Sequence, residues 1–495
     1  MNILKQILGA YTFVIILQVI NSQLSYYLIG GLTSDGFGLK LKSDRNPIVI
    51  SLNGTVKGTY TPDSDGYYDI KITGLTPNTN YMMDIEYNGI SQSSNIPIKT
   101  FPEIAGNLNT NITFTASSSI QTFWKEHEST KIKIKSPLFF MLLGGIHDKT
   151  LDSNNWKDYE TEYIKAINTN LVRKLTNTTP LMYVYDEGDF TRTNDFGVAS
   201  NENIQAVSKA YKKIFPSYQL NSEGIGLYQS FRVGNILFLM TDSRTFLNVN
   251  GNKGTLFGNT QLNWLVTNLK NAATDNTIKV VFITMTQVWN YVKSAYDWDM
   301  IKQNFFSIMD NITWEKQTVG DTIINNFNFN RPELPNFKSV MMIIGEKFLA
   351  FDEGSWNNYG NFPIAVCGPI DFQQECKGGP YSHGSFQDSS AQYCQFDVYQ
   401  NQNKDNNNVC IKAQGIIPTD SPTKRDQTVW AYDTCYPDYY RGRVNLKCPI
   451  NFKEKILNAF ITIIASIIVY VVFFVLIYHL SMKALSFSNN KMKSN

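Results

Sequence analysis

Residues 136–148 read SPLFFMLLGGIHD, and this stretch is the clearest structural signal in the chain. Its apolar run lacks period-2 alternation, opens at Pro137 and closes at Gly144 and Gly145, which predicts a strand buried on both faces. In α/β sheets, functional sites lie at the carboxyl ends of such strands. We therefore expect a site in the loop that follows this strand.

Three later segments share this character, because each is an apolar run that ends in acidic residues. They are residues 181–190 (LMYVYDEGDF), 236–244 (ILFLMTDSR) and 340–353 (VMMIIGEKFLAFDE). Apolar residues at helical spacing between them predict helices over residues 159–175, 203–214 and 260–269. Strands that alternate with helices indicate an α/β domain, which we place at residues 104–450. A domain of this size buries a full core unaided.

Several motifs occur in the order found in one known family. The loop after the first strand is Leu143, Gly144, Gly145, Ile146 and His147, and the loop after the second is Tyr185, Asp186, Glu187, Gly188 and Asp189. Further matches are Ser230, Phe231, Gly234, Asp242, Ser243, Arg244, Gly258, Gln261, Trp264, Leu265, Asp352, Glu353, Gly354, Asn358, Phe362, Pro363 and Asp371.

Through these motifs, residues 111–415 resemble the alkaline-phosphatase-D-like (PhoD-like) metallophosphatases of the calcineurin-like fold. The resemblance implies a β-sandwich flanked by helices. It also implies a centre of two divalent metal ions, such as calcium and iron, and phosphomonoesterase or phosphodiesterase activity.

The family's ligand positions are mostly substituted here. Gly145 stands where the resemblance implies a metal-bridging Asp, and Gly188 stands where it implies the His that protonates the leaving group. Residues 116–119 (ASSS) replace an expected ligand, and Glu346 and Phe348 stand in the late Gly-Asp-x-His loop. A two-metal centre needs several fixed carboxylate or imidazole ligands. We therefore expect a disabled centre that holds no metal, and a binding or scaffolding role.

An alternative remains open for the residual acidic and imidazole groups. Asp186 and Glu187 keep ligand chemistry, although either is also an ordinary loop carboxylate. A relocated metal site in an active phosphoesterase would draw on His147, Asp148, Asp186, Glu187 and Asp352.

The chain termini predict a secretory membrane protein. Residues 1–22 combine Lys5 with a short apolar run, which is typical of a signal peptide, an uncleaved anchor being the alternative. Residues 456–480 are almost wholly apolar and long enough for one transmembrane helix, with residues 481–495 as a cytosolic tail. We expect a single-pass type I protein with its large domain extracellular or lumenal.

Residues 23–103 carry regularly spaced β-rich runs, which predict a small all-β sandwich. The stretch TGLTPNTNY at residues 73–81 resembles the turn between the E and F strands of a fibronectin type III module, where a Leu and a Tyr pack across the corner. We expect this module to be accessory rather than catalytic.

All six cysteines occur late in the chain, which behind a signal peptide favours disulfides over a zinc site. We expect a bridge between Cys394 and Cys410, which flank a polar turn between β-like runs, and oxidation of Cys367, Cys376, Cys435 and Cys448. Glycosylation sequons occur at Asn53, Asn111, Asn177 and Asn311.

The net charge of +2 over 495 residues gives no field that favours nucleic acid. The partners we expect are the membrane, through one span, and a protein, a glycan or a phosphorylated ligand.

Overall fold

The computed structural model describes most of residues 24–436. The described residues all fall within one compact unit, Met1–Lys447. They are residues 24–104, 111–120, 137–193, 198–220, 225–248, 254–287, 289, 313–334, 336–354, 359–370, 381–385, 392–401, 408–418 and 426–436.

The first seven strands form two small antiparallel sheets, as the β-rich spacing predicts. They are β1 Tyr26–Gly30, β2 Phe37–Lys42, β3 Ile48–Leu52, β4 Thr55–Tyr60, β5 Tyr67–Ile72, β6 Asn80–Tyr87 and β7 Ile90–Lys99. One sheet has the order β1-β2-β5 and the other β4-β3-β6-β7. At the predicted corner, Leu75 is buried, and Thr76 donates its backbone N–H to the Tyr81 hydroxyl at 2.9 Å. Two N-terminal β-sheets are therefore confirmed, while their identity as a sandwich module of the fibronectin class stays a prediction.

Two larger sheets form the core of the following region. Their strands are β8 Ile112–Ser117, β9 Phe140–Leu143, β10 Leu181–Val184, β11 Gln229–Val233, β12 Ile236–Met240, β13 Val280–Met285, β14 Ser339–Gly345, β15 Leu349–Asp352, β16 Ile364–Cys367, β17 His383–Ser385, β18 Tyr393–Gln400, β19 Val409–Ile417 and β20 Gln427–Asp433. The six-stranded sheet has the order β10-β9-β8-β18-β19-β20, and the seven-stranded sheet β11-β12-β13-β14-β16-β15-β17.

Aromatic rings fill the space between these sheets. Phe114 of β8 stacks on Phe396 of β18 with centroids 4.9 Å apart, and meets Phe238 and Phe282 edge-on at 5.2 and 5.1 Å. Tilted and edge-on ring pairs stabilise packing beyond the area they bury. Every residue of β9 is buried, because sheet neighbours and packed layers cover it on both faces, as its unbroken apolar run predicts.

Helices flank the sheets: α1 Trp156–Ile167, α2 Asn170–Thr176, α3 Asn201–Ile214, α4 Gly258–Thr274 and α5 Thr313–Asn326. Where one helix was predicted over residues 159–175, the chain breaks into α1 and α2. The Thr169 hydroxyl donates to the carbonyl of Ala166, and side chains of this kind compete with the helical backbone. The helix predicted at 203–214 begins two residues earlier, because Ser200 caps it by accepting from the Asn203 N–H.

Two further predictions from the sequence are wrong in detail. The segment 340–353 is not one strand, because the chain turns between β14 and β15. β14 pairs with β16 in parallel, whereas β15 pairs with β16 antiparallel. The Cys394–Cys410 bridge is also wrong, because Cys394 lies opposite Gly415 and Cys410 opposite Tyr399. Side chains alternate along a strand, so this register directs the two cysteines to opposite faces of the sheet.

The disulfides join Cys367 to Cys394 and Cys410 to Cys435. The first links the two large sheets across the sandwich, since Cys367 lies in β16 and Cys394 in β18. Such bonds persist in oxidising compartments and suggest an extracellular or secretory location. Cys376 and Cys448 lie outside the described residues.

Several predictions fall on parts of the chain that the structure does not describe. These include the signal peptide at 1–22, the span at 456–480 and the tail at 481–495. Among the described helices, none is both long and apolar enough to cross a membrane.

Candidate functional site

A cavity of about 240 Å³ lies where strands from both large sheets end. Six strands, β8, β9, β10, β12, β13 and β14, deliver residues to it just after their carboxyl ends. It is lined by Ser119, Gly145, Asp148, Thr150, Asp186, Glu187, Gly188, Arg244, Thr286, Glu346 and Lys347. We call this cavity the strand-end pocket. Its place at the ends of parallel strands is the one predicted from the apolar runs.

The strand-end pocket brings five of the predicted site positions together: Gly145, Asp186, Glu187, Gly188 and Glu346. It also includes Asp148, which the sequence offered for a relocated site. The other candidates do not line it: His147, Asp189, Phe348 and Asp352.

Gly145 has no room for a side chain. Its φ is +68°, and a Cβ built on it would lie 2.7 Å from the Cα of Ser119 and 3.0 Å from the Ser119 backbone nitrogen. Residues other than glycine are strained in this region of φ, and the close neighbour is backbone rather than a flexible side chain. The local backbone therefore excludes a carboxylate at this position without rearrangement.

Gly144, the preceding residue, is constrained in a similar way. Its φ is +85°, and an added Cβ would lie 2.4 Å from the Cβ of Asp186. The glycine pair thus lets two loops approach each other closely, with Asp186 seated against the turn after β9.

Two cations border the strand-end pocket. A guanidinium nitrogen of Arg244 lies 4.0 Å from a carboxylate oxygen of Glu187, and the Lys347 Nζ lies 4.0 Å from Asp148 Oδ1. The Arg244 side chain is only 10% exposed, and its buried Nε has no hydrogen-bond partner among the described residues. The lining therefore holds four carboxylates and two cations at close quarters.

Asp189 holds the loops from behind instead of facing the pocket. Its fully buried carboxylate accepts from the backbone N–H of Ile146 at 2.9 Å, the N–H of Asp186 at 2.6 Å and the Tyr183 hydroxyl. Burial, and next the charge of Asp186, raise the pKa of Asp189 well above its ordinary value. This residue therefore fixes the positions of two loops that line the pocket.

Asp242 plays the same part on the other sheet. Its carboxylate accepts hydrogen bonds from the backbone N–H groups of Leu227, Arg244 and Thr245 at 2.9–3.0 Å. The Gln261 side-chain amide accepts from the Asp242 backbone N–H and donates to the Asp242 backbone carbonyl, both at 2.7 Å. The motif residues Asp242 and Gln261 therefore hold the turn that carries Arg244.

His147 is buried beside the pocket and uncharged at neutral pH. Its Nδ1 accepts a hydrogen bond from the Lys149 backbone N–H at 3.3 Å, whereas its Nε2 has no hydrogen-bond partner within the described residues. The centroids of the His147 and Tyr163 rings lie 5.0 Å apart. Burial lowers the pKa of His147 to about 4. It therefore acts as a packed core residue in this geometry.

Phe348 and Asp352 are also buried and do not line the pocket. Phe348 is fully buried against the ring of Tyr381, with centroids 5.6 Å apart, and Asp352 is fully buried with its Oδ1 accepting from the Gly354 N–H at 2.8 Å.

Sequence reasoning missed the roles of Arg244 and Lys347 as the pocket's cations. The signal was present, because each follows an apolar strand by a few residues, just as the acidic residues do.

Within the described parts of the chain, one group of three potential ligand residues is close enough to hold a metal ion: Cys410, Asp433 and Cys435. The two cysteines are bonded to each other, so no thiolate is present there to bind a metal. In the strand-end pocket, no three such donor atoms come together in the described geometry.

Comparison with solved structures reveals the fold. The chain is similar to PhoD, with a TM-score of 0.60 and 16% sequence identity, over 83% of this chain and 90% of PhoD. It is also similar to a purple acid phosphatase from yellow lupin (Lupinus luteus) seeds, with a TM-score of 0.54 and 9% identity, over 82% of this chain and 74% of the lupin protein.

The molecule therefore has the calcineurin-like metallophosphatase fold, which confirms the fold expected from its motifs. Identities this low establish the fold and nothing about activity. No family model and no curated protein matches the sequence.

Proposed function

We propose that this protein is a membrane-anchored ectodomain in which a phosphatase fold binds a ligand or partner without hydrolysing it. The observation that carries the proposal is the backbone at Gly145, which leaves no room for the bridging carboxylate that the family resemblance implies. The residues present do not fit a two-metal centre.

The charges in the strand-end pocket support the same conclusion. Lys347 stands in the late loop where the resemblance implies ligands, with its Nζ 4.0 Å from Asp148 Oδ1, and Arg244, which matches a motif of the family, lies 4.0 Å from a Glu187 carboxylate oxygen. A dication about 4 Å from a fixed positive charge is repelled by several kcal/mol, even when the surroundings screen it. The two side chains instead offset two of the four carboxylate charges of the lining.

The lining carries hydrogen-bonding groups suited to a polar ligand. Arg244 and Lys347 suit an oxyanion, and Ser119 and Thr150 suit hydroxyl groups. The ligand classes consistent with this chemistry are a phosphorylated molecule, a glycan or a polar segment of a partner protein.

One observation favours a second candidate, a metal-dependent phosphomonoesterase or phosphodiesterase with a relocated site. Asp148, Asp186, Glu187 and Glu346 all line the pocket, and carboxylates are good ligands for hard divalent cations. Movement of Lys347 out of the pocket would leave a strongly acidic lining.

An activity assay separates these candidates. The full chain, purified in mild detergent, is assayed on phosphomonoester and phosphodiester substrates with calcium, iron, zinc or manganese added, beside a Glu187→Ala variant. We expect no turnover above a protein-free blank, because even one lost electrostatic contact typically costs on the order of 100-fold in rate and several are missing. Metal-dependent turnover that the variant abolishes would establish the relocated site.

The membrane and glycan part of the proposal has its own test. Asn53, Asn111 and Asn177 are exposed, as glycan acceptors must be, while Asn311 lies outside the described residues. Enzymatic deglycosylation of the protein expressed in eukaryotic cells should increase its gel mobility. An unchanged mobility together with an intact N-terminus would contradict a type I orientation.

A further inference from the structure

Another cavity, of about 350 Å³, lies between the N-terminal sheets and helices α1 and α2. Strands β1, β6 and β7 and the loop after β2 line one side of it, and the ends of α1 and α2 line the other. It shares no lining residue with the strand-end pocket. Its volume falls in the range of small-molecule sites, roughly 300–1,000 Å³. We call it the junction cleft.

One residue in the lining of the junction cleft is a glycosylation acceptor. Asn177 is the C-cap of α2, its side chain is exposed, and Thr179 completes its sequon. A glycan on the Asn177 amide therefore starts at the edge of the cleft. Of the other exposed acceptors, Asn53 and Asn111 do not line this cleft.

The hairpin of β6 and β7 presents apolar surface to the cleft. Ile90 is 54% exposed, and the partly exposed ring of Tyr87 lies in the same lining, with the Arg45 guanidinium 4.9 Å from the ring centroid. Single exposed hydrophobic residues are ordinary, but this one lines a concave site together with an aromatic ring. Sugar rings have a face of C–H groups, and N-acetylglucosamine adds a methyl group, so such a surface suits the first sugars of an N-glycan.

Polar groups line the same cleft beside this apolar surface. Ser91, Gln92 and Ser93 follow Ile90 along β7, and the Tyr27 hydroxyl forms a hydrogen bond with Ser93. Burial raises the pKa of Tyr27, so its hydroxyl stays uncharged. Neutral donors and acceptors of this kind match the hydroxyl and acetamido groups of a sugar. The lining therefore combines the two surfaces that a saccharide presents.

We propose that the N-glycan of Asn177 docks its first N-acetylglucosamine residues in the junction cleft and so ties α2 to the N-terminal sheets. This inference rests on the glycosylation in the proposed function. A free saccharide would lose its translational and rotational freedom on binding, which is costly. A sugar tethered at the edge of its own site acts at a high effective concentration, so the few contacts of the cleft suffice.

The test compares the accessibility of the glycans in the folded protein. The full chain is expressed in mammalian cells and purified in mild detergent, and the occupancy of each sequon is measured by peptide mass spectrometry. The native protein is then treated with peptide N-glycosidase in heavy-oxygen water, which marks every acceptor from which the glycan is released.

Release at Asn177 should be about ten-fold slower than at Asn53 and Asn111. A glycan that is docked about nine-tenths of the time is open to the enzyme only for the remainder. Asn53 is a suitable reference because it follows β3, at the end of the sheet where Leu52 pairs with Met83, far from the hairpin that lines the cleft. After denaturation, release at the three acceptors should be equally fast.

Variants locate the docked sugars. Ile90→Ala combined with Tyr87→Ala should bring release at Asn177 to within about two-fold of the rate at Asn111, because the docked population falls. Ile90→Ala alone should act in the same direction. Ile324→Ala is the matched control, since Ile324 is an isoleucine of α5 that is 47% exposed and does not line the cleft. It should leave the rate at Asn177 unchanged.

A second measurement tests the tie between the two layers. Asn177→Gln removes the glycan and keeps an amide, and it should lower the melting temperature by about 2 °C or more relative to Asn111→Gln. Both positions are exposed, so the glycan is the main group lost in each variant.

Three results would overturn the proposal: equal native release at Asn177 and Asn111, slow release at Asn177 that the Ile90 and Tyr87 changes leave unaltered, or equal melting temperatures of the two sequon variants. An unoccupied Asn177 beside occupied Asn53 and Asn111 would also overturn it while leaving the proposed glycoprotein intact. Absence of glycan from all three acceptors would instead contradict both.

Discussion

The two sides of the strand-end loops differ in how they are held. Behind the loops, Asp189 and Asp242 each accept several hydrogen bonds and are fully buried. On the pocket side, Gly145 and Gly188 carry no functional group, and the Arg244 guanidinium lies 4.0 Å from a Glu187 carboxylate oxygen. The loop geometry is therefore fixed from behind by buried hydrogen bonds, and it does not depend on the groups that face the pocket.

This difference explains how the fold persists without the ligand set that the family resemblance implies. Unsatisfied buried donors cost more than exposed polar contacts contribute, so the buried side determines stability. The pocket side can change its chemistry wherever the backbone leaves room for a side chain, which it does not at Gly145.

The largest effect should come from breaking the buried side at Asp189. Asp189→Ala leaves the Ile146 and Asp186 N–H groups and the Tyr183 hydroxyl without their acceptor. We expect the free energy of unfolding to fall by about 3–5 kcal/mol, measured by chemical denaturation. Asp186→Ala is the control on the pocket side, where one partly exposed contact to the Gly188 N–H is lost, and it should cost about 1 kcal/mol. Equal losses would remove the distinction between the two sides.

A second change tests whether the pocket side accepts the carboxylate it lacks. Gly145→Asp should destabilise the protein by about 2–4 kcal/mol, because a positive φ is strained and the new Cβ overlaps the Ser119 backbone. Gly74→Asp is the matched control, since Gly74 has φ +75° with nothing within 4 Å of an added Cβ, and it should cost only about 1–2 kcal/mol. A Gly145→Asp variant as stable as the wild type would show that the site accommodates the side chain.

A third test uses pH, because His147 is a titratable group of the loop after β9 that is buried on the side away from the pocket lining. Its pKa is about 4 in the folded chain against an ordinary value of 6.5, so the unfolded chain binds more protons between these values. Its contribution to stability is full above pH 6.5 and is lost as the pH falls towards 4, by about 3 kcal/mol.

The pH test compares the wild type with His147→Asn, so that titration of carboxyl groups common to both cancels. Denaturation at pH 7, 5.5 and 4.5 should give a shallower loss of stability for the variant. Identical slopes would mean that His147 is not held uncharged by burial.

The sequence was most informative where one physical signal dominates. Unbroken apolar runs predicted the buried strands β9, β10 and β12, and the loops after them do converge on one pocket. The motif order predicted the fold that the comparison with PhoD supports.

The sequence was least informative where strand register, a turn or contacts between distant strands determine the structure. The pairing of Cys394 with Cys367 depends on which face of β18 the cysteine occupies, and sequence spacing does not fix that face. The roles of Arg244 and Lys347 depend on contacts between strands that are distant in the chain, since Lys347 approaches Asp148 from the other sheet. The turn between β14 and β15 is marked by one glycine, Gly345, which is itself the last residue of β14.

We propose that two protein cations, and not metal ions, offset part of the carboxylate charge in the strand-end pocket. The most direct test is elemental analysis of the full chain, expressed with calcium, iron, zinc and manganese supplied and purified without chelators. We expect well under one tightly bound metal ion per chain. Two metal ions per chain that survive dialysis would contradict it and would identify the pocket as a working two-metal centre.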